Sequence, residues 1–381
     1  MWNARRVALE PIAICLLHGA RLSLSHQNLI TGVLLVWLPA EFRQLRTSSA
    51  YWPNLDLVIT VPLSIFHGVL QSRVARVQQL AVVGLLALAM FGGARVWPDH
   101  PWLAVAIGLA VLMVHLPILG LEFLLLSCLA KADPVTRPGW PVLLRAWFTE
   151  AAHYLRVFGW QQPFRWQAVP DRLEGEGTQG RRGVVLVHGF CCNRGFWNTW
   201  LQRLAHEQRA FVAVNLEPVF SSIDGYGPIL DRALSRVEAA TGLPPLLVCH
   251  SMGGLAARAW LAKRYQGSAD LNGHVYHVVT IGSPHHGTWL ARFSHTANGR
   301  QMRVGGNWIK NLEAVWREGS AGLPAHHFTC WYSNADNIVI PPSSAALRGA
   351  DNRLIPGVGH VAMAQSREVM DKTLALLDQR G

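Results

Sequence analysis

The sequence predicts an α/β protein in which a doubly wound, mostly parallel sheet follows an N-terminal bundle of transmembrane helices. Long apolar runs are concentrated in residues 1–130, whereas residues 181–381 alternate short β-branched runs with helical patterns. Hydrophobic residues make up 50% of the chain and charged residues only 15%, below the roughly 25% that is usual for soluble domains. A chain of 381 residues has room for both parts.

Residues 1–130 are predicted to form a transmembrane helical region of about four spans. In the strongest span, Trp102–Ala130, the first twenty residues carry no full charge and can cross about 30 Å of hydrocarbon. A kink is expected near Pro117, because proline lacks the N–H that a helical hydrogen bond needs. A cleaved signal peptide is the alternative for the extreme N-terminus, but no small-x-small cleavage site follows. The other spans are expected near 28–41, 55–71 and 78–94.

The formal net charge of +11 is interpreted as membrane anchoring. Lys and Arg near the ends of spans set their orientation and attract anionic lipid head groups. Nucleic-acid binding is disfavoured, because the arginines are scattered and no recognised nucleic-acid motif is present. With four spans, seven basic residues lie on one side and three on the other, which favours a cytoplasmic location for both chain ends. One span more or fewer would place the C-terminal half on the opposite side of the membrane.

Residues 131–180 are predicted to be a connector with an amphipathic segment, Trp140–Phe158, whose Trp and Phe suit a membrane–water interface. In the C-terminal part, strands alternate with helices, which predicts parallel pairing through right-handed crossovers. Ligand sites of such sheets lie beyond the carboxyl ends of the strands. The strands are expected at Val184–Val187, Phe211–Asn215, Leu246–Cys249, Val275–Ile281, His327–Tyr332 and Arg353–Ile355, and the helices at Trp197–Glu207, Gly227–Thr241, Gly253–Tyr265 and Val361–Leu377.

Ser251 is the predicted nucleophile. It lies in the run His250-Ser251-Met252-Gly253-Gly254, between a candidate strand and a helical pattern. A serine on a sharp strand-to-helix turn has its hydroxyl pushed out of the sheet and needs small neighbours, as in the pattern G-x-S-x-G. Cys249 stands where that pattern has its first glycine. A serine that caps a helix N-terminus is the alternative interpretation.

The backbone amides of Phe190 and Met252 are predicted to form an oxyanion hole, which stabilises the negative charge that nucleophilic attack creates. The strand Val184–Val187 runs into His188-Gly189, and loops of this kind present the amide of the next residue. His188 itself is expected to orient the loop by hydrogen bonding. His250 is expected to support the site without contacting the reacting atoms.

His360 is the predicted general base, because it follows the last candidate strand in a loop bracketed by glycines and a serine hydroxyl needs an imidazole to take its proton. Asp336, just beyond the penultimate strand, is predicted to fix the tautomer of His360 and stabilise its charged form. Asp351 is the competitor for this role. Together, Ser251, Asp336 and His360 give the chain order Ser, Asp, His that is known for a serine nucleophile on a strand-to-helix elbow.

Five motifs stand out in residues 184–377: VHGF (187–190), HSMGG (250–254), IGSPHHGT (281–288), YSNADNIVIPP (332–342) and PGVGH (356–360). With these motifs, residues 184–377 resemble bacterial lipases and esterases of the α/β-hydrolase superfamily. The resemblance covers about half of the chain and implies an α/β-hydrolase fold and a Ser-His-Asp triad that cleaves carboxylic esters through an acyl-enzyme. It implies no cofactor, and since no calcium site like that of some lipases is evident, no metal is expected.

The segment Trp289–Trp316 lies between two candidate strands, where enzymes of this kind place a lid. Its aromatic and aliphatic side chains, mixed with Arg and Lys, suit contact with a lipid surface. We therefore expect a lid-like insertion near 289–320 within a hydrolase domain at 181–381. An ordinary packed excursion is the alternative.

The leading hypothesis is an integral protein of the bacterial inner membrane that hydrolyses a lipid or acyl ester taken from the bilayer, with its hydrolase domain on the cytoplasmic side. A thioesterase or acyltransferase would use the same triad and differ only in which acceptor reaches the acyl-enzyme. A non-catalytic membrane protein with a vestigial hydrolase domain is the alternative from another class, and a complete triad argues against it. The sequence does not indicate an oligomeric state.

Overall fold

A six-stranded parallel sheet organises the part of the chain that this computed structural model describes. The described residues are 72–175, 177–265, 274–318 and 327–378. The strands are β1 (Val184–Val187), β2 (Phe211–Ala213), β3 (Leu246–His250), β4 (His277–Ile281), β5 (Phe328–Tyr332) and β6 (Asp351–Leu354). They lie in the order β2-β1-β3-β4-β5-β6, and every neighbouring pair is parallel. The predicted parallel sheet is confirmed.

Helices of the C-terminal part cover both faces of this sheet. Successive side chains of a strand point to opposite faces, so Val184 and Leu186 join one apolar cluster and Val185 and Val187 join the other. The sheet is therefore buried on both sides. The helices of the C-terminal part are α5 (Asn198–His206), α6 (Gly227–Thr241), α7 (Met252–Tyr265), α8 (Ala297–Gln301), α9 (Asn307–Glu318), α10 (His360–Ala364) and α11 (Arg367–Leu374). The cluster with Val184 and Leu186 contains side chains of α5 and α11, and the cluster with Val185 and Val187 contains side chains of α6, α7 and α9.

The predicted helix Val361–Leu377 is two helices, α10 and α11, with a break at Gln365 and Ser366. Ser366 has an extended backbone and occupies the N-cap position of α11. The side chain of Gln365 is occupied elsewhere: its Nε2 donates to Phe196 O over 3.1 Å, and its Oε1 accepts from Thr199 Oγ1 over 3.1 Å. Tertiary hydrogen bonds therefore accompany the break, and a helical pattern alone does not show them.

The longer helices that precede the sheet within the described residues are α1 (Arg73–Val96), α2 (Pro101–Leu112), α3 (His115–Leu129) and α4 (Trp140–Tyr154). α1 begins where Ser72 Oγ accepts from the amide of Ala75 over 3.2 Å, a regular N-cap. α4 continues through a π-helical segment, Leu155–Gln161, into the short helix Gln162–Phe164.

The structure corrects the single span predicted over Trp102–Ala130. This run is divided between α2 and α3, which meet at Met113 and Val114. Pro117 explains the break: it has no N–H for the carbonyl of Met113, four residues earlier, and its ring would clash with that carbonyl. The Met113 carbonyl instead accepts from the amide of Leu116 over 2.9 Å.

Two helical stretches of the described chain are long and apolar enough to cross a membrane, Arg73–Val96 and His115–Ala132, with mean hydropathies of 1.8 and 1.5. The first overlaps the span predicted near 78–94. The spans predicted near 28–41 and 55–71 lie outside the described residues. A bundle of four spans is therefore not shown, and the division of the chain near residues 130 and 180 stays a prediction.

α3 and α4 pack directly against the C-terminal part. Phe123 and Leu126 of α3 and Ala146 of α4 form a buried apolar cluster with Ala335 and Ile340, which follow β5. The indole of Trp147 also donates to the carbonyl of Leu116 over 3.0 Å, which joins α4 to α3. The two helices are thus part of the same packed structure as the sheet.

The outer surface of residues 73–164 is apolar. Of the 29 exposed large hydrophobic side chains among the described residues, 25 lie in this region. The four others are Phe220, Phe293, Val304 and Leu354. A concentration of this size is unusual for a protein in water and is typical of contact with a lipid or protein surface.

The segment predicted as a lid contains α8 and α9. Ile309 and Leu312 of α9 are buried in the same apolar cluster as α7, whereas Phe293 and Val304 are exposed. The described part of this segment therefore has a packed inner face and a few exposed apolar side chains.

We expect Gly253→Ala to destabilise the protein. A Cβ at Gly253 would lie 2.7 Å from the carbonyl oxygen of Val187 and 2.8 Å from that of His188, which is closer than packed atoms approach. Overpacking of this kind costs about 1–3 kcal/mol, seen as a fall of several degrees in the thermal unfolding midpoint. Gly225→Ala is the matched control, because a Cβ there would meet only Ser221 Oγ at 3.4 Å. Equal midpoints for the two variants would contradict the close approach of β1 and α7.

Candidate active site

Ser251 lies on a sharp turn between β3 and α7. Its backbone has a φ of 52°, in the left-handed region, and its amide donates to the carbonyl of Ile281 over 2.9 Å. A non-glycine residue in this conformation is strained, and such strain concentrates at functional sites. The strand-to-helix context predicted for Ser251 is therefore present. The side chain of Cys249, which stands at the usual glycine position, is buried in the core beside the sheet.

The loop after β1 presses against this turn. A Cβ at Gly189 would lie 2.8 Å from Ser251 Cβ and 3.2 Å from His250 Nδ1. Only glycine allows the two loops to approach this closely, because any side chain would displace the serine. Phe190, the next residue, is thereby held beside the nucleophile turn.

His360 and Asp336 form a buried hydrogen-bonded pair. His360 Nδ1 lies 2.9 Å from Asp336 Oδ2, and the two residues are only 4% and 1% exposed. Asp336 Oδ1 accepts from the amides of Ile338 and Val339 over 2.9 and 2.8 Å. The aspartate is thus fixed by its own loop and oriented toward the imidazole.

The environment raises the pKa of His360 above its usual value. Burial alone would lower this pKa, but the charge of Asp336 and its hydrogen bond outweigh burial. An imidazole that must accept a proton and then carry a positive charge benefits from such a neighbour.

Ser251 and the His360–Asp336 pair meet at one edge of the sheet. The carbonyl of Ile281 accepts from the Ser251 amide, and at the next residue, Gly282, a Cβ would lie 3.0 Å from His360 Nδ1 and 3.1 Å from Asp336 Oδ2. The rings of His250 and His360 are 4.6 Å apart between centroids. The three residues predicted from the sequence are therefore brought together at the carboxyl ends of β3 to β5.

His188 spans two loops at this edge. Its Nε2 accepts from the amide of Leu216 over 3.1 Å, so its Nδ1 carries the proton and donates to Gly189 O over 2.9 Å. Burial lowers the pKa of His188 to about 4, which keeps it neutral. His188 therefore joins the loop after β1 to the residues that follow β2.

His250 packs between the aromatic ring of Phe196, 4.4 Å away between centroids, and the imidazole of His360. Its Nε2 lies 3.3 Å from the carbonyl oxygen of His360. Burial holds the pKa of His250 well below its usual value, so it brings no charge to the site. Its contacts hold the backbone of His360.

The amides predicted for the oxyanion hole belong to residues beside the serine. Met252 is the first residue of α7, so its amide is one of the first-turn donors that a helix leaves without an internal acceptor. Phe190 follows Gly189, and its ring lies 5.8 Å from the ring of Phe220 between centroids. Among the described residues, no group of three or more His, Cys, Asp or Glu side chains is placed to hold a metal ion.

Sequence reasoning missed Glu150, a residue of α4 that is fully buried at this site. Its Oε1 accepts from the amide of Val361 over 2.8 Å and its Oε2 from the amide of Ala362 over 2.9 Å. These are first-turn amides of α10, the helix that begins at His360. Glu150 therefore caps the histidine helix from another element.

Asn337 completes this cap. Its Oδ1 accepts from the amide of His360 over 3.1 Å, and its Nδ2 donates to Glu122 Oε2 of α3 over 2.7 Å. The only signal for this arrangement in the sequence is Glu122, a carboxylate within the apolar run Trp102–Ala130. An ionisable group in an apolar run often marks a functional position. Sequence spacing could not pair these residues, because Glu150 and Val361 are 211 positions apart.

Asp351, the competitor of Asp336, lies elsewhere. It is the first residue of β6, and its Oδ2 accepts from the guanidinium of Arg353 over 2.6 and 2.7 Å. Its side chain is 47% exposed, whereas that of Asp336 is 1% exposed. The geometry therefore favours Asp336 as the partner of His360.

Residues 184–372 match the sequence profile of the Alpha/beta hydrolase family. This stretch contains the whole sheet, the serine turn, Asp336 and His360. It belongs to the alpha/beta hydrolase family. We call this stretch the hydrolase domain, and the α/β-hydrolase fold expected from the sequence motifs is confirmed.

The chain is similar to solved structures of lipases and of a phospholipase. The mature Bacillus licheniformis lipase BlEst2 is 16% identical, with 54% of this chain and 95% of that chain covered and a TM-score of 0.45. Aspergillus fumigatus lipase B is 20% identical over 54% of this chain and 55% of its own, with a TM-score of 0.45. Phospholipase PlaB from Legionella pneumophila is 13% identical over 52% and 63%, with a TM-score of 0.39. No curated protein matched the chain.

We expect Asp336→Asn to lower kcat for ester hydrolysis by about 10⁴-fold, because the amide would favour the wrong tautomer of His360. Asp351→Asn is the matched control and should retain activity within about threefold. The carboxylate of Asp336 raises the pKa of His360, so its loss should move the acidic limb of the residual pH–rate profile to lower pH. A larger loss in Asp351→Asn would assign the acid to that residue.

We expect Glu150→Gln to weaken the site and to flatten the pH dependence of stability. Burial raises the pKa of Glu150 from 4.5 to about 7, so the folded state holds its proton where the unfolded chain has lost it. Its contribution to stability is therefore full below about pH 4.5 and is lost as the pH rises through about 7. The variant should lose this slope in urea unfolding between pH 5 and 8.

In Glu150→Gln, one α10 amide would face an N–H group instead of an oxygen, so His360 should shift. We expect kcat to fall by about 10- to 100-fold with little change in KM. Glu368→Gln, at an exposed glutamate of α11, is the control and should change neither kcat nor the pH slope. A Glu150→Gln variant with normal kcat would show that Asn337 alone is sufficient to hold the histidine helix.

Proposed function

We propose that this protein is a membrane-bound serine hydrolase that cleaves carboxylic esters of lipids through an acyl-enzyme. The proposal rests above all on the buried His360–Asp336 hydrogen bond of 2.9 Å at the sheet edge where Ser251 occupies a strained turn. This arrangement does not serve the stability of the fold, because it buries a carboxylate and an imidazole and strains the backbone of a serine. It suits a nucleophile, a base and an orienting acid.

In the first half of the reaction, Ser251 Oγ attacks the ester carbonyl carbon while His360 Nε2 takes the hydroxyl proton. The negative charge that forms on the carbonyl oxygen is stabilised by the amides of Phe190 and Met252. The carbon–oxygen bond to the alcohol then breaks, and His360 returns the proton to the leaving alcohol. The acyl group remains on Ser251.

In the second half, a water molecule attacks the acyl carbon and gives a proton to His360. The bond to Ser251 Oγ breaks, the proton returns to the serine, and a carboxylic acid is released. Asp336 stabilises the imidazolium in both halves. No cofactor takes part in these steps.

The membrane part of the proposal is supported by the apolar outer surface of residues 73–164 and by the two helices long enough to span a bilayer. Because α3 and α4 also pack on the hydrolase domain, an apolar face in contact with lipid would hold the site near the bilayer. A high local concentration of lipid esters favours them over soluble ones. A panel of phospholipids, acylglycerols and acyl thioesters, given to the full-length protein, would separate ester from thioester hydrolysis.

We expect Ser251→Ala to abolish labelling by a fluorophosphonate probe and to lower the hydrolysis of a short-chain ester by about 10³-fold or more. The probe reacts only with an activated serine. Ser283→Ala is the control, since Ser283 is also buried at this edge of the sheet but follows β4. Retention of half of the ester hydrolysis by a folded Ser251→Ala variant would overturn the proposed nucleophile.

A further inference from the structure

A large apolar cavity lies beside the hydrolase domain. It has a volume of about 1110 Å³ and is lined by α1, the junction of α2 and α3, the π-helical segment after α4, and the loops at Cys191 and at 218–221. We infer that this cavity binds the acyl chain of the lipid ester. The inference rests on the proposed function and names the part of the substrate that the cavity takes.

The walls of the cavity suit a hydrocarbon chain. Most of its lining is aliphatic or aromatic, and the lining from α1 alone contributes Val74, Val77, Ala81, Val82, Leu85 and Leu86. Small-molecule sites in proteins typically enclose about 300–1,000 Å³, so there is room here for a long chain. Each methylene group removed from water strengthens binding by about fourfold. Such a wall therefore favours long acyl chains over short ones.

The cavity borders the loop after β1, which carries Gly189 and Phe190. Cys191 lines it, and Gly189, two residues earlier, packs against the Cβ of Ser251. Gln78 of α1 donates to the carbonyl of Cys191 over 3.4 Å, and the amide of Arg73 donates to Glu217 Oε1 over 3.0 Å. α1 is thus joined to the loops beside the serine. On this inference, an ester whose carbonyl is at Ser251 directs its chain past Cys191 into this space.

The cavity also opens toward the apolar outer surface. Val77, Leu86, Trp160 and Phe220 line it although they are 67%, 46%, 57% and 53% exposed. Exposed apolar side chains at the rim connect the cavity with the surface that we propose to contact the bilayer. A lipid chain can therefore pass from the bilayer into the cavity without crossing water.

Most of this cavity lies outside the hydrolase domain. Only Cys191 and residues 218–221 come from 184–372, and the remaining lining comes from residues 73–160. Chain-length preference is therefore built by the helices that precede the family domain. This assigns those helices a role in specificity as well as in membrane contact.

Val82→Trp tests the inference, with Val83→Trp as the matched control. Val82 lines the cavity, whereas its neighbour Val83 is 55% exposed and does not. The quantity measured is the ratio of kcat/KM for a 16-carbon ester to that for a 4-carbon ester, on the full-length protein in a sterol-based detergent that has no alkyl chain to compete. We expect Val82→Trp to lower this ratio at least tenfold and Val83→Trp to leave it within twofold. Equal ratios in the two variants would overturn the inference.

A binding measurement keeps the test independent of catalysis. In a Ser251→Ala background, cis-parinaric acid should bind with an affinity that Val82→Trp lowers at least tenfold and Val83→Trp does not change. If no ester were hydrolysed and Ser251 stayed unlabelled, the proposed function would fail, and this binding difference would still decide whether the cavity takes an acyl chain. Should Val82→Trp not fold, Ala81→Phe, with Ala87→Phe as control, makes the same comparison at a smaller size.

Discussion

The capping of the histidine helix is the constraint on which the rest of the site depends. α10 has five residues, so its first-turn amides have no acceptors within the helix. Asn337 takes the amide of His360, and Glu150 takes those of Val361 and Ala362. A buried amide left without an acceptor costs about 1–3 kcal/mol, so this short helix depends on its external partners. Its position sets the distance from His360 to Asp336.

This cap ties the hydrolase domain to the helices before it. α4 presents Glu150 to α10, and its π-helical continuation lines the apolar cavity. In α3, Glu122 accepts a hydrogen bond from Asn337, while Leu121 and Leu124 of the same helix are exposed. Each of these helices therefore turns a carboxylate toward the hydrolase domain and also carries exposed apolar side chains. A lipid surface against α3 would lie about one helix diameter, roughly 10 Å, from the residues that hold His360.

The parts of the site that could be predicted are those that depend on residues adjacent in the sequence. A β-branched run followed by His250-Ser251-Met252-Gly253-Gly254 and a helical pattern allows few other local structures, so the serine turn was accessible from the sequence. The same holds for the six strands, whose bounds differ from the predicted ones by two residues or fewer. The break of the 102–130 run at Met113 was harder to place, because Pro117 acts on a carbonyl four residues earlier.

The sequence by itself determined the order of strands along the chain, the serine turn and the residues available as acid and base, because short-range backbone preferences and side-chain periodicity act within a few positions. Only the tertiary structure decided that Asp336 and not Asp351 meets His360, that Glu150 caps α10, and that α1 closes a cavity beside Cys191. Each of these contacts joins positions far apart in the chain. Such contacts arise from packing between whole elements, since a buried carboxylate or amide must find its partner wherever the fold places one.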